Sequence, residues 1–115
     1  MSDYASIEEF RKLDIRIGTV IESSKVESAD KLIKLKIDFG EKIGTKQILT
    51  GMAEFFAPEY FIGKQLPAIL NFKSRTIRNE LSEGMILAVN EDVENNFKPI
   101  LLHPENTVKN GVSVI

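Results

Sequence analysis

The chain has no cysteine and only one histidine among its 115 residues. The missing thiols exclude structural disulfides, thiolate zinc sites, redox dithiols and cysteine nucleophiles, and are compatible with a cytoplasmic address. His103, the single histidine, stands beside Pro104 and far from any serine or acidic motif, so it reads as a surface or packing residue and not as an acid–base catalyst. Glu8-Glu9, Glu91-Asp92 and Glu94 lie in polar segments and read as solvating charges. No phosphate-cradling glycine loop, dinucleotide fingerprint or metal-ligand spacing is present, so no catalysis, cofactor or metal is expected. No stretch approaches membrane-spanning length, and the start, Met1-Ser-Asp-Tyr-Ala-Ser6, is polar and acidic where a signal peptide would be basic and then apolar. A cytoplasmic protein with no membrane association is expected. An excess of charge is lacking too. With 15 basic against 17 acidic side chains, any attraction for a polyanion must come from a local patch.

What is present describes one folded domain with a core of its own. The length suits a single domain, and 43% apolar with 28% charged residues supplies both a core and a solvated surface. Ser6-Ile-Glu-Glu9 has the form of a capping box and predicts a short helix over residues 7–12. Residues 14–22 alternate, with Ile15, Ile17, Thr19 and Ile21 on one face and Arg16, Gly18, Val20 and Glu22 on the other, a strand in which Gly18 is a candidate bend. Residues 23–31 are polar and read as a loop. The next strand, 32–39, sends Ile33, Leu35, Ile37 and Phe39 to one face, and Gly40-Glu-Lys-Ile-Gly44 supplies the turn to an antiparallel partner over 45–51. Pro58 opens a single helical turn ended by Gly63. Residues 66–72 and 85–89 are apolar without alternation, as in strands covered on both faces. An acidic turn over 91–96 leads to a last short strand candidate within 98–103, and the tail ends in Val112-Ser-Val-Ile115. Short strands with little helix predict a small all-β barrel.

One stretch stands apart. Between Glu59 and Glu80 there is no acidic residue, yet Lys64, Lys73, Arg75 and Arg78 all fall there. The apolar strand before Asn71 runs into this basic loop, and a second apolar strand follows at Met85. Lys and Arg give charge-assisted hydrogen bonds to anions, and an exposed amide such as Asn71 meets bases or sugars. A charged loop is also an ordinary solvated feature. Lys34 and Lys36 either extend the basic stripe or pair with Asp30 and Asp38. Met85 is most naturally core, unless Gly84 lets it turn outward. Ser82 either caps a turn or bonds a phosphate or base edge.

Asp14-Ile-Arg-Ile-Gly18, Ala29-Asp-Lys-Leu32, Asn71-Phe-Lys73 and Ser82-Glu-Gly-Met-Ile-Leu-Ala88 occur in that order, and through them the chain resembles the tRNA-binding domain family over about residues 7–115. That family includes free-standing structure-specific tRNA-binding proteins, the C-terminal domain or beta subunit of methionyl-tRNA synthetases, and a secretion-related, chaperone-like branch. The resemblance implies a five-stranded oligonucleotide-binding barrel over residues 7–115, preceded by a tail (1–6). It also implies that C-terminal strands, about residues 91–115, form a homodimer extension. It implies non-catalytic tRNA binding, alone or as an accessory module of an aminoacyl-tRNA synthetase, with a chaperone-like protein-binding dimer as the alternative. Matched by position, Lys31, Asn71, Lys73, Arg75, Arg78, Ser82 and Met85 are the implied tRNA contacts. The sequence departs from the family pattern at Ser74, where proline is common, and at Asn79-Glu80, in place of a glycine-bearing turn. Both departures are expected to alter loop geometry or to set an anion beside the phosphate path.

Overall fold

In the computed structural model, which describes residues 3–115, the first regular element is α1 (Ile7–Arg11). Met1 and Ser2 of the expected tail lie outside the described residues. The capping box is complete: the Ser6 hydroxyl accepts from the Glu9 N–H at 3.1 Å, and the Glu9 carboxylate accepts from the Ser6 N–H at 2.9 Å.

Five strands build one antiparallel sheet: β1 (Ile15–Lys25), β2 (Ile33–Asp38), β3 (Thr45–Thr50), β4 (Gln65–Ile69) and, after a small hairpin, β7 (Met85–Ile86). Their order is β3-β2-β1-β4-β7. The sheet curls until its two edges nearly meet, and the enclosed core holds Val20, Ile33, Leu35, Ile37, Phe39, Ile48, Phe61, Leu66, Ala68 and Ile86. This is the expected all-β, five-stranded barrel with a short N-terminal helix. The β2–β3 hairpin forms as the alternation and its glycine turn predict, with Gly40 and Gly44 both at positive φ. A single 3-10 turn (Pro58–Phe61) starts at its proline and drives Phe61 into the core.

Three expectations change. First, β1 continues to Lys25, because Ser23, Ser24 and Lys25 pair through their backbones with Leu35, Lys34 and Ile33, so the loop is shorter than its polar residues suggest. Second, the core face of β1 is the one with Gly18 and Val20. A Cβ at Gly18 would lie 2.6 Å from Ile37 Cγ2 and 2.7 Å from the Phe39 ring, so glycine here admits β2 side chains, and the irregularity falls instead between Val20 and Glu22 as a bulge. Third, residues 85–89 are not one covered strand. The chain leaves the barrel at Leu87 and enters a separate hairpin, β8 (Ala88–Asn90) with β9 (Pro99–Leu101), whose connection carries the acidic turn.

Ile15 and Ile17, on the outer side of β1, are covered from a distance. The Ile17 N–H donates to the Val112 carbonyl at 3.0 Å, the Val114 N–H to Ile15 at 2.8 Å and the Gly111 N–H to Ile17 at 2.7 Å, so the C-terminal tail lies along β1. Gln65 clamps it through Nε2 to the Val108 carbonyl at 2.7 Å and Oε1 to the Val108 N–H at 2.9 Å. Among the described residues no helix is long and apolar enough to cross a membrane.

Candidate nucleic-acid interface

The basic loop expected after Asn71 is a hairpin, β5 (Arg75–Ile77) with β6 (Glu80–Ser82). Arg78 and Asn79 form its two-residue turn at φ 52° and 65°, the pair of left-handed positions that a type I′ turn requires. Asn79 meets that requirement without glycine, because its short amide tolerates the left-handed region. Glu80 is not a free anion beside the hairpin. Its carboxylate takes Lys34 Nζ at 3.2 Å and Gln47 Nε2 at 3.3 Å, tying the hairpin to the barrel. Lys34 therefore pairs across the fold and not with Asp30 or Asp38.

Ser82, Glu83 and Gly84 close the barrel where no regular ladder joins β3 to β7. The Leu49 N–H donates to the Ser82 hydroxyl at 3.1 Å, and that hydroxyl donates to the Gly84 carbonyl at 3.1 Å. Glu83 accepts the Gln47 N–H at 2.9 Å and returns its own N–H to the Gln47 carbonyl at 2.7 Å. A Cβ on Gly84 would sit 2.8 Å from the Ile69 carbonyl oxygen, so only glycine lets the chain pass. Ser82 is thus largely buried, 5% exposed, and its one proton is committed to the Gly84 carbonyl, so the part of it that reaches the groove wall has no proton free to donate. Met85, read from its neighbours as core, instead turns outward and is 44% exposed.

Asn71 also has a structural task. Its Oδ1 accepts the Asp14 N–H at 2.8 Å and its Nδ2 donates to the Lys12 carbonyl at 2.6 Å, fixing the exit of β4 against the link from α1 to β1.

The structure brings Lys73, Arg75, Ser82 and Met85 together with Phe72 and Gly84 around one groove of about 420 Å³. Arg78 stands at the hairpin tip. Lys31 lies in the turn before β2, where its carbonyl accepts from the Ala53 N–H at 3.1 Å, and is not part of the groove wall. Among the described residues, Lys73, Arg75, Arg78 and Lys31 make no ion pair, so their charge is available to a ligand. Lys64 instead sits over the Tyr60 ring, 4.0 Å from its centroid. Phe72, the end of the apolar run 66–72 expected to be a covered strand, is 46% exposed on the groove. The signal against a covered strand is Asn71, a poor strand residue immediately before it.

Elsewhere, His103 Nδ1 lies 3.0 Å from the Gln65 carbonyl oxygen, beside a shallow depression that it shares with Lys64 and Glu105. Among the described residues no group of three or more histidines and acids is placed to hold a metal ion.

A curled five-stranded barrel with an unpaired basic hairpin and groove on one side defines a nucleic-acid-binding module of the oligonucleotide-binding type. Residues 15–113 match the family model described as "Putative tRNA binding domain", and the chain belongs to that tRNA-binding domain family. It is 41% identical over 109 residues to a methionine–tRNA ligase of Chlorobium chlorochromatii and 44% identical over 109 residues to one of Archaeoglobus fulgidus. In each case 95% of this chain is covered, but only 15% and 16% of the ligases' own length. Among solved structures, a MetRS related protein from Pyrococcus horikoshii superposes with a TM-score of 0.89 at 30% identity, covering 99% of this chain and all of that one. The chaperone CsaA from Bacillus anthracis gives 0.85 at 32% identity, covering 97% of this chain and 99% of that one.

Proposed function

We propose that this tRNA-binding domain acts without catalysis, as a homodimer, holding tRNA on the groove and hairpin face of its barrels, either alone or docked to an aminoacyl-tRNA synthetase in the cytoplasm. The observation that carries the reading is the gathering of Lys73 and Arg75, unpaired, on the wall of one groove, with Arg78 at the tip of the same hairpin. Lys and Arg there meet phosphate and ribose, and the fixed hairpin sets the spacing at which they do so. Ser82, on the groove wall, and Asn71, behind it, brace that surface. Lys31 adds its charge from a separate turn.

The homodimer reading draws on a second surface. Ile17, Pro67, Leu102, Val108, Val112 and Val114 line an apolar groove of about 340 Å³ along the tail, within and beside the expected extension of about residues 91–115. A protein-binding, chaperone-like dimer is the second reading, favoured by the likeness to CsaA and by the same apolar groove.

A gel-shift titration with total tRNA at low and high salt separates the two. Phosphate-led binding weakens steeply as salt rises, and Lys73→Glu with Arg75→Glu abolishes it while the thermal midpoint holds. No shift at low salt sinks the tRNA reading. Sedimentation with and without tRNA gives the stoichiometry, for which one tRNA per dimer is expected.

A further inference from the structure

We propose, resting on the tRNA-binding reading above, that the groove beside β7 seats a single unstacked RNA base, with Phe72 as its stacking platform and Met85 as the facing apolar wall. Both side chains are nearly half exposed, at 46% and 44%, although each is large enough to belong in a core. The backbone that carries each is anchored. Met85 is paired with Ile69 in the β4–β7 ladder, and Phe72 follows Asn71, whose amide is bonded at both ends to the α1–β1 link. Anchoring the backbone leaves only the side-chain torsions, two of them for Phe72, to be ordered when a ring stacks.

The groove's volume of about 420 Å³ lies at the lower end of the range for small-molecule sites, roughly 300–1,000 Å³. That is room for one nucleoside and not for a helix. Lys73 and Arg75 share the wall with Phe72 and Met85, placing two unpaired cations where the phosphates on either side of an extruded nucleotide would run. Few hydrogen-bonding groups remain for the base edge. The Ser82 hydroxyl is engaged with Leu49 and Gly84, and Gly84 offers no side chain. Recognition by face and not by edge is therefore tolerant of base identity, but it requires an unpaired base, which a closed duplex does not present.

Fluorescence anisotropy with the full chain and three labelled RNAs tests this: total tRNA, a hairpin with a single-stranded loop, and a blunt duplex with the same number of phosphates. The hairpin is expected to bind more tightly than the duplex. Phe72→Ala is expected to weaken tRNA and hairpin by about 5- to 150-fold, the cost of removing one base–aromatic stack, with the duplex and the salt slope unchanged. Phe72→Trp should stay within about threefold of the parent, because the platform is kept. Because Phe72 is exposed and outside the core, circular dichroism and the thermal midpoint should be unaltered in both variants. Parent-like tRNA binding by folded Phe72→Ala overturns the base slot and leaves the tRNA reading standing, whereas no binding of any RNA by the parent removes both. Competition by micromolar adenosine monophosphate would overturn the RNA assignment by giving the slot to free nucleotides.

Discussion

Ser82 and Lys73 sit on the same groove and carry opposite kinds of consequence. Ser82→Ala leaves the Leu49 N–H buried without an acceptor, and a stranded buried donor costs about 1–3 kcal/mol, readable as a lower urea midpoint at unchanged slope. Lys73→Ala and Arg75→Ala touch no internal partner, so stability should stay within about 0.5 kcal/mol while the salt slope of tRNA binding falls by about one unit for each phosphate no longer neutralised. The cations are legible in the sequence because an acid-free stretch is visible without knowing the fold. The tasks of Ser82 and Asn71 are not, since their bonding partners lie 33 and 57 to 59 residues away, and nothing local tells a hydroxyl or an amide whom it will meet. Met85 misleads for a related reason. Its neighbours are apolar, but Ile86 takes the core side of the short strand, and the alternation of side chains along it leaves Met85 facing out.

Among the elements, the β5–β6 hairpin shows binding and stability in competition. Arg78 occupies a left-handed position that costs a non-glycine residue of order 1–3 kcal/mol, and it does so at the tip of the basic hairpin. Arg78→Asn is therefore expected to raise the thermal midpoint and lower tRNA affinity together, whereas Asn79→Gly should raise stability by about 0.5–1 kcal/mol and leave affinity alone. Differential scanning calorimetry and a tRNA titration on the two variants check the pair of signs. In the sequence β2 is plain, since strict alternation ends in a glycine turn. The full length of β1 is hidden because backbone pairing, not side-chain pattern, holds Ser23–Lys25 to β2, and a bulge at Ile21 exchanges the two faces partway along. The basic stretch reads as a loop for want of the Asn-Gly or Asp-Gly pair by which such turns usually announce themselves.

At the scale of the whole molecule, the barrel leaves two surfaces, the basic groove and the apolar groove along the tail, and the proposed dimer requires both. Leu102→Asp places a charge in the apolar groove without touching the backbone bonds that seat the tail. It is expected to halve the sedimenting mass and lower tRNA affinity at least about tenfold, as linked sites become independent, while the monomer melts within a few degrees of the parent. The class of fold is legible in the run of short apolar strands. The tail's return to β1 is not, because only Val112-Ser-Val114 alternates, too short a run to announce a strand, and residues 108–114 are held by distant side chains, Gln65, Thr19 and Arg16, and by single backbone bonds. That return also governs the order of assembly in the cell. β1 is synthesised before the other strands of the barrel, yet Arg16 finds the Gly111 carbonyl 95 residues later. At translation speeds of roughly 5–20 residues per second, Ile15 and Ile17 wait on the order of 5 to 20 seconds for their cover. The nascent chain must therefore carry a sticky open edge until the tail emerges, and a message cut short before that point would release a product prone to clump.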